Sequence, residues 1–256
     1  MRFSAVYNTD VGIKKKTNQD SLAIKIAETP DGQALFSLVC DGMGGLAKGE
    51  VASKEVICAF CNWFDQQFAE MVKNESFSEG ALKYQWLHLA VDMNEKIKAY
   101  GEQNGIMLGT TISAILMYRG RYYRVHVGDS RIYQMSSTVQ QLTADQTLVA
   151  REIAAGRLTP EQAETDSRRS VLLQCIGASP VVEPDFVAGD IQAGATYMIC
   201  SDGFRHKISN DEIMSKIGPA ACGTEAEMED GCKFLTELVK YRKETDNITV
   251  VLIKTE

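Results

Sequence analysis

Histidine is scarce, with only three residues, at 88, 126 and 206, in a chain of 256. No His/Cys cluster stands ready to supply the nitrogen and sulfur ligands of a zinc site. His88 falls on a helix flank and His206 is read as a surface residue. Seven cysteines are an odd number, so any disulfide scheme leaves a thiol over. They are read as scattered thiols of a reducing cytosol. No stretch reaches the roughly 18 apolar residues of a membrane span, and Met1-Arg2-Phe3-Ser4 opens without the apolar centre of a signal peptide. Positive charge is also in short supply. The net charge is -7, and the single basic run, Lys14-Lys15-Lys16, does not offset it, so neither nucleic acid nor an anionic membrane is an expected partner. No repeat, linker or low-complexity tract divides the chain. One domain over residues 1–256, soluble and cytoplasmic, is expected.

Apolar residues make up 45% of the chain and charged residues 24%, a balance that supports an ordinary packed core. Short runs rich in β-branched residues predict strands at 21–26, 34–40, 110–118, 122–127, 195–200 and 248–254. Arg119-Gly120 and Asp31-Gly32 separate neighbours by hairpin-length loops, which predicts antiparallel pairing. Two helical stripes lie between these strands: Ala52, Val56, Ala59, Phe60, Trp63 and Phe64, then Leu82, Trp86, Leu89, Ala90, Met93, Ile97 and Tyr100. A third, Met228, Cys232, Leu235 and Val239, precedes the final strand. Grouped strands with grouped helices favour a layered α+β architecture over a parallel doubly wound sheet. The polar segment from Ala144 to Gly177, broken by Gly156 and Pro160, reads as a surface excursion.

Asp-Gly pairs occur at 31, 41, 202 and 230. Asp31 and Asp230 are read as turns. Asp41 follows the apolar run Leu35 to Cys40 and opens Asp41-Gly42-Met43-Gly44-Gly45; Asp202 follows Tyr197 to Ser201 in the same way. A carboxylate at the mouth of a buried strand, followed by a glycine that lets a ligand approach the backbone, suits an oxygen-ligated cation. Asp129, in Gly128-Asp129-Ser130-Arg131, and Asp246, before Asn247 and Ile248, also border strands. Like charges so gathered would repel without a cation. All-oxygen ligation suits magnesium or manganese.

These blocks, taken in order along nearly the whole chain, resemble the type 2C metal-dependent protein phosphatases. They are Asn18-Gln19-Asp20 after Gly12, Asp41-Gly42-Met43-Gly44-Gly45, Gly109-Thr110-Thr111, Gly128-Asp129-Ser130-Arg131 with Thr143-Ala144-Asp145, and Ser201-Asp202-Gly203-Phe204 with Asp246-Asn247-Ile248-Thr249. Met43 between the glycines is similar to the bacterial members. The resemblance implies a four-layer α-β-β-α sandwich of two antiparallel sheets flanked by helices. It also implies a serine/threonine phosphatase that uses water activated by Mn2+ or Mg2+, two or three ions, and opposes a serine/threonine kinase on phosphorylated protein substrates. Asp41 would bridge two metals and the Gly42 carbonyl would touch the second. Asp202 and Asp246 would complete the first, Asp20 would hold water on the second, and Asp129 with Asp202 would form a third position. Asn247 would orient Asp246, and residues 144–177 would be the flap beside the site. Two positions depart from the pattern. Lys15 stands where an arginine usually grips the substrate phosphate, keeping the charge but losing the bidentate fork. Met43 replaces the histidine that many eukaryotic members carry as a candidate acid.

Two rival functions use the same residues. A phosphopeptide-binding module of this fold without catalysis would not need the full carboxylate set. A nucleotide loop is suggested by Gly42-Met43-Gly44-Gly45-Leu46-Ala47, but Asp41 would then face a pyrophosphate.

Overall fold

The computed structural model describes residues 1–43 and 48–256. Among them, ten strands form two five-stranded sheets in which every pairing is antiparallel. One sheet runs β1 (Phe3–Asp10), β10 (Ile248–Thr255), β9 (Thr196–Cys200), β6 (Arg131–Met135), β7 (Val139–Gln141). The other runs β2 (Ser21–Thr29), β3 (Gly32–Cys40), β4 (Ile112–Tyr118), β5 (Arg121–Val127), β8 (Asp185–Asp190). The six expected strands are present; β1, β6, β7 and β8 are additional.

Alternation along the strands sorts the apolar side chains into three cores. Leu35 and Val39 of β3 pack with Ile199, Val251 and Ile253 between the sheets. Phe36, Leu38 and Cys40 pack instead with Val56 and Phe60 of α1 (Gly49–Trp63) and Leu82 and Trp86 of α3 (Glu79–Asn104). On the other sheet, Val250 and Leu252 pack with Ile213 of α7 (Asn210–Ile217) and Leu235 and Val239 of α8 (Glu225–Tyr241). Helix, sheet, sheet and helix therefore stack as four layers, as the resemblance implies. Aromatic rings fill the first helix–sheet interface: Phe36 lies 5.4 Å from Phe64 and 6.0 Å from Trp86, centroid to centroid.

Local chemistry sets the ends of these elements. Ser78 caps α3, and Ser209 with Glu212 and Thr224 with Glu227 form reciprocal capping boxes at α7 and α8. Arg119 and Gly120 both take positive φ, 51° and 75°, as a two-residue hairpin requires. The turn expected at Asp230-Gly231 is not there, because both residues lie within α8. A Cβ on Gly231 would collide with the Lys216 carbonyl of α7, so this glycine serves close helix packing despite a propensity cost of about 1 kcal/mol.

The 144–177 excursion contains two short helices, α4 (Leu148–Ala154) and α5 (Pro160–Thr165). Its ends meet through Leu148 N–H to the Val171 carbonyl and Leu173 N–H to the Gln146 carbonyl, both 2.8 Å. All seven cysteines are free. Cys40 and Cys200 are buried in strands; Cys58 and Cys61 have C-x-x-C spacing and lie one turn apart on α1, so the thiols are not all scattered. No helix of the described residues is long and apolar enough to cross a membrane.

Candidate metal centre

Strand register gathers the singled-out aspartates at one end of the sandwich. Ser21 pairs with Cys40, which sets Asp20 beside Asp41. Ile112 pairs with Val127, bringing Gly128-Asp129 to the same end. Arg131 and Val250 both pair with Cys200, from its two sides, and Asp10 pairs with Ile248, so Asp129, Asp202 and Asp246 border one another there.

Each carboxylate is seated by its backbone. The Asp41 N–H donates to Thr111 Oγ1 at 3.0 Å, and its carbonyl accepts from Thr111 N–H and Thr110 Oγ1, both at 2.9 Å. Thr110 also exchanges two backbone bonds with Ile176, 3.0 and 2.9 Å, so the root of the 144–177 excursion is stitched to the block that holds Asp41. Gly42 is cradled so closely by the Gln19 carbonyl and Gly49 that no Cβ fits. Ser201 exchanges bonds with Thr249 at 3.0 Å, fixing Asp202 at the start of α6 (Asp202–Arg205) against β10. Asn247 ties the 11–19 loop down: Nδ2 donates to the Val11 and Thr17 carbonyls (2.9 and 3.1 Å), and Oδ1 accepts from Gln19 N–H (2.9 Å). Its own N–H donates to Asp246 Oδ1 at 2.8 Å. Lys15, on that loop, sets Nζ 2.9 Å from Asp246 Oδ1, whereas Lys14 and Lys16 are exposed. Gly44, Gly45, Leu46 and Ala47 lie outside the described residues.

These groups repel one another. Burial, then the charges of Asp20, Asp202, Asp129 and Asp246, pushes Asp41 well above the usual carboxylate range. Burial also pushes Asp20 up to about 7, with Asp202 and Asp246 adding to it, and Asp129 up to about 7, with Asp202 adding. Among the described residues, both oxygens of Asp20 are buried without a hydrogen bond of ordinary geometry, although the nearby Thr249 and Ser201 hydroxyls work to lower its pKa. A buried, unpartnered carboxylate costs several kcal/mol, and a hard cation removes that cost. The donor set is all oxygen and the orphaned atoms are carboxylate oxygens, so the residues fit magnesium or manganese. Among the described residues, no three His, Cys, Asp or Glu side chains stand close enough together to hold a metal ion by themselves, so an ion here would take much of its coordination from water.

A profile of the protein phosphatase 2C family matches residues 13–239. The chain belongs to that family. Protein phosphatase PhpP of Streptococcus pneumoniae is 29% identical over 248 residues, covering 96% of this chain and 94% of that protein. The solved structure of the S. agalactiae serine/threonine phosphatase superposes with a TM-score of 0.84 at 28% identity, each chain covered in full. The catalytic domain of the serine/threonine phosphatase PstP, solved with two manganese ions, superposes with a TM-score of 0.79 at 29% identity over 99% of both chains. The antiparallel sheets lack the parallel crossover that a dinucleotide loop requires, which removes the nucleotide reading of Gly42 to Ala47.

Three parts of this phosphatase site have no counterpart in the expectations drawn from sequence. His206, expected on the surface, is half-buried, with Nε2 3.6 Å from Asp202 and Nδ1 3.7 Å from Glu244. Buried Glu244 accepts from Thr245 N–H (2.7 Å) and Asp246 N–H (3.1 Å); although burial works to raise it, His206 and these two donors hold it below the usual carboxylate range. Arg131 forks Asp145 with two 2.7 Å bonds, and Arg205 joins at 3.4 Å. No motif announces Glu244 or Arg205, since the His206 contact of the one and the Asp129 and Asp145 contacts of the other join segments distant in sequence.

His126 is the third buried feature, in contact with Ser113 Oγ (3.0 Å) and the Ala144 carbonyl (3.2 Å) at the root of the excursion. Burial, then the Arg124 charge, pushes it down to about 4. Between about 4 and 6.5 the unfolded chain binds a proton here and the folded chain does not, so stability falls as pH drops through that window, by roughly 3 kcal/mol in all. Urea midpoints measured at pH 7 and pH 5 should show a smaller acid loss in His126→Gln than in the unmodified protein. An identical loss in both would remove this histidine from the account.

Proposed function

We propose that the chain hydrolyses phosphoserine and phosphothreonine in proteins, releasing inorganic phosphate to water, at a two-cation centre filled by manganese or magnesium. It does so as a single catalytic domain over residues 1–256, in the cytoplasm, opposite a serine/threonine kinase. The observation that carries this reading is the Asp20 carboxylate, buried amid Asp41, Asp202 and Asp246 with neither oxygen in a well-formed hydrogen bond among the described residues. Asp41, the Gly42 carbonyl, Asp202, Asp246 and Asp20 would hold the two ions, and Asp129 with Asp202 a third. When bound, the ions neutralise phosphoryl charge and bring the pKa of water towards neutrality.

The chain's own residues provide alignment. Thr110 and Thr111 fix Asp41, and Asn247 with Glu244 fixes Asp246. Lys15 offers a phosphoryl oxygen a point charge rather than a fork. Met43 supplies no proton, so the leaving serine or threonine oxygen takes its proton from water or from another group. A phosphothreonine peptide incubated with the manganese-loaded protein should release phosphate. Retention of the peptide without release would instead support the non-catalytic binding module.

Lys15→Ala is expected to raise KM about tenfold with a smaller change in kcat, since a ground-state phosphate contact is lost. Lys14→Ala and Lys16→Ala should behave as the unmodified protein. Unchanged kinetics in all three would make the run a solvated charge cluster only.

A further inference from the structure

Helices α4 and α5 roof a cavity of about 700 Å³ whose opposite wall is the α6–α7 segment, a size typical of a binding site. Val149, Ile153 and Ala163 line it from the excursion, and Ile208 and Ile213 from the opposite wall. Its charges are unequal: Arg131, Arg169, Arg205 and Lys207 face Asp145 and Glu164. That excess of cations stands inside a chain whose net charge is -7. Asp145 is already occupied, since it accepts both bonds of the Arg131 fork and a third from Arg205. Arg205 Nε is buried with no acceptor among the described residues. Arg169 reaches the Glu164 carbonyl oxygen at 3.4 Å, and Lys207 is exposed.

The cavity shares a wall with the metal centre. Arg205 Nη2 donates to the Asp129 carbonyl at 3.1 Å, and His206, which contacts Asp202, also lines the cavity. A peptide whose phosphorylated residue sits among the aspartates must leave across a rim of the site. On this rim a neighbouring side chain meets an apolar wall and an excess of positive charge.

We propose that this cavity is a substrate subsite for an acidic side chain flanking the phosphorylated residue, so that the enzyme selects acidic phosphopeptides. The proposal rests on the phosphatase function above. An aspartate or glutamate would lay its short stem on the apolar wall and set its carboxylate among Arg169, Arg205 and Lys207, which outnumber Glu164 once Asp145 is engaged by Arg131.

The test uses the full chain loaded with manganese and three phosphothreonine peptides of equal length, flanked by Glu, Gln or Lys, alongside an aryl phosphate. The expected order of kcat/KM is Glu, Gln, Lys, with about tenfold between the first two, carried mainly by KM. The double variant Arg169→Ala/Lys207→Ala should bring the Glu-to-Gln ratio close to one while leaving aryl phosphate turnover unchanged. Equal kcat/KM for the Glu and Gln peptides in the unmodified protein, or a ratio that survives in the double variant, overturns the subsite. Fluorescence anisotropy with the same labelled peptides and the Asp41→Asn variant reads that ratio without turnover. Failure on every substrate, aryl phosphate included, would strike the phosphatase function itself, and the anisotropy ratio would still decide the subsite.

Discussion

Asp41→Asn is expected to lower kcat by at least about a thousandfold while leaving the metal-free protein as stable as before, or more so. The loss follows from position. Asp41 directly follows β3, its backbone is fixed at Thr110 and Thr111, and the charges of four other aspartates act on it. An amide keeps the shape and the backbone bonds but cannot offer a charged oxygen to two ions. The stability sign is opposite. Its folded pKa is raised, so the folded chain holds that proton more firmly than the unfolded chain does. Ionisation above the unfolded value near 3.8 therefore costs folding free energy, and asparagine removes the cost. Phosphate release and a thermal melt in chelator give the two readouts. A variant that is inactive because it melts far below the unmodified protein would point to lost structure, and one with near-normal kcat would place the chemistry elsewhere.

The central strands were legible because each is covered on both faces, so β3, β4, β9 and β10 are almost continuously apolar. β1, β7 and β8 lie at sheet edges and carry half-buried or exposed residues, which leaves little pattern to read. β6 is five residues long and opens on Arg131, whose side chain belongs to the Asp145 pair rather than to a core. The aspartates were legible for a related reason: a carboxylate directly beside a buried strand is a local anomaly. Glu244 and His206 are not anomalous locally, and their meeting depends on α6 and the turn before β10 lying side by side. Asp230-Gly231 shows the reverse error, where turn chemistry was outweighed by the close approach of α7 and α8.

Removing divalent cations is expected to abolish turnover and to lower the melting temperature by about 5 to 10 °C relative to protein saturated with manganese. The catalytic half follows from the carboxylate set, which does not activate a water for attack on a phosphate ester unless cations are bound. The stability half is linkage. An ion present at about a hundred times its dissociation constant and bound only by the folded chain adds roughly 2.7 kcal/mol, and in a chain of this length each kcal/mol moves the midpoint by about 2 to 4 °C. The expected gain has its source in Asp20, whose two buried oxygens lack a well-formed hydrogen bond among the described residues and would gain a cation partner. Melts with manganese, magnesium and chelator, run beside phosphate release from a phosphothreonine peptide, test both halves together. Full turnover after exhaustive chelation would end the two-cation reading. A loss of activity with no shift in melting would mean that the ion arrives only with the substrate; where a shift is seen, Asp20→Asn should abolish it if the centre that includes Asp20 binds the metal.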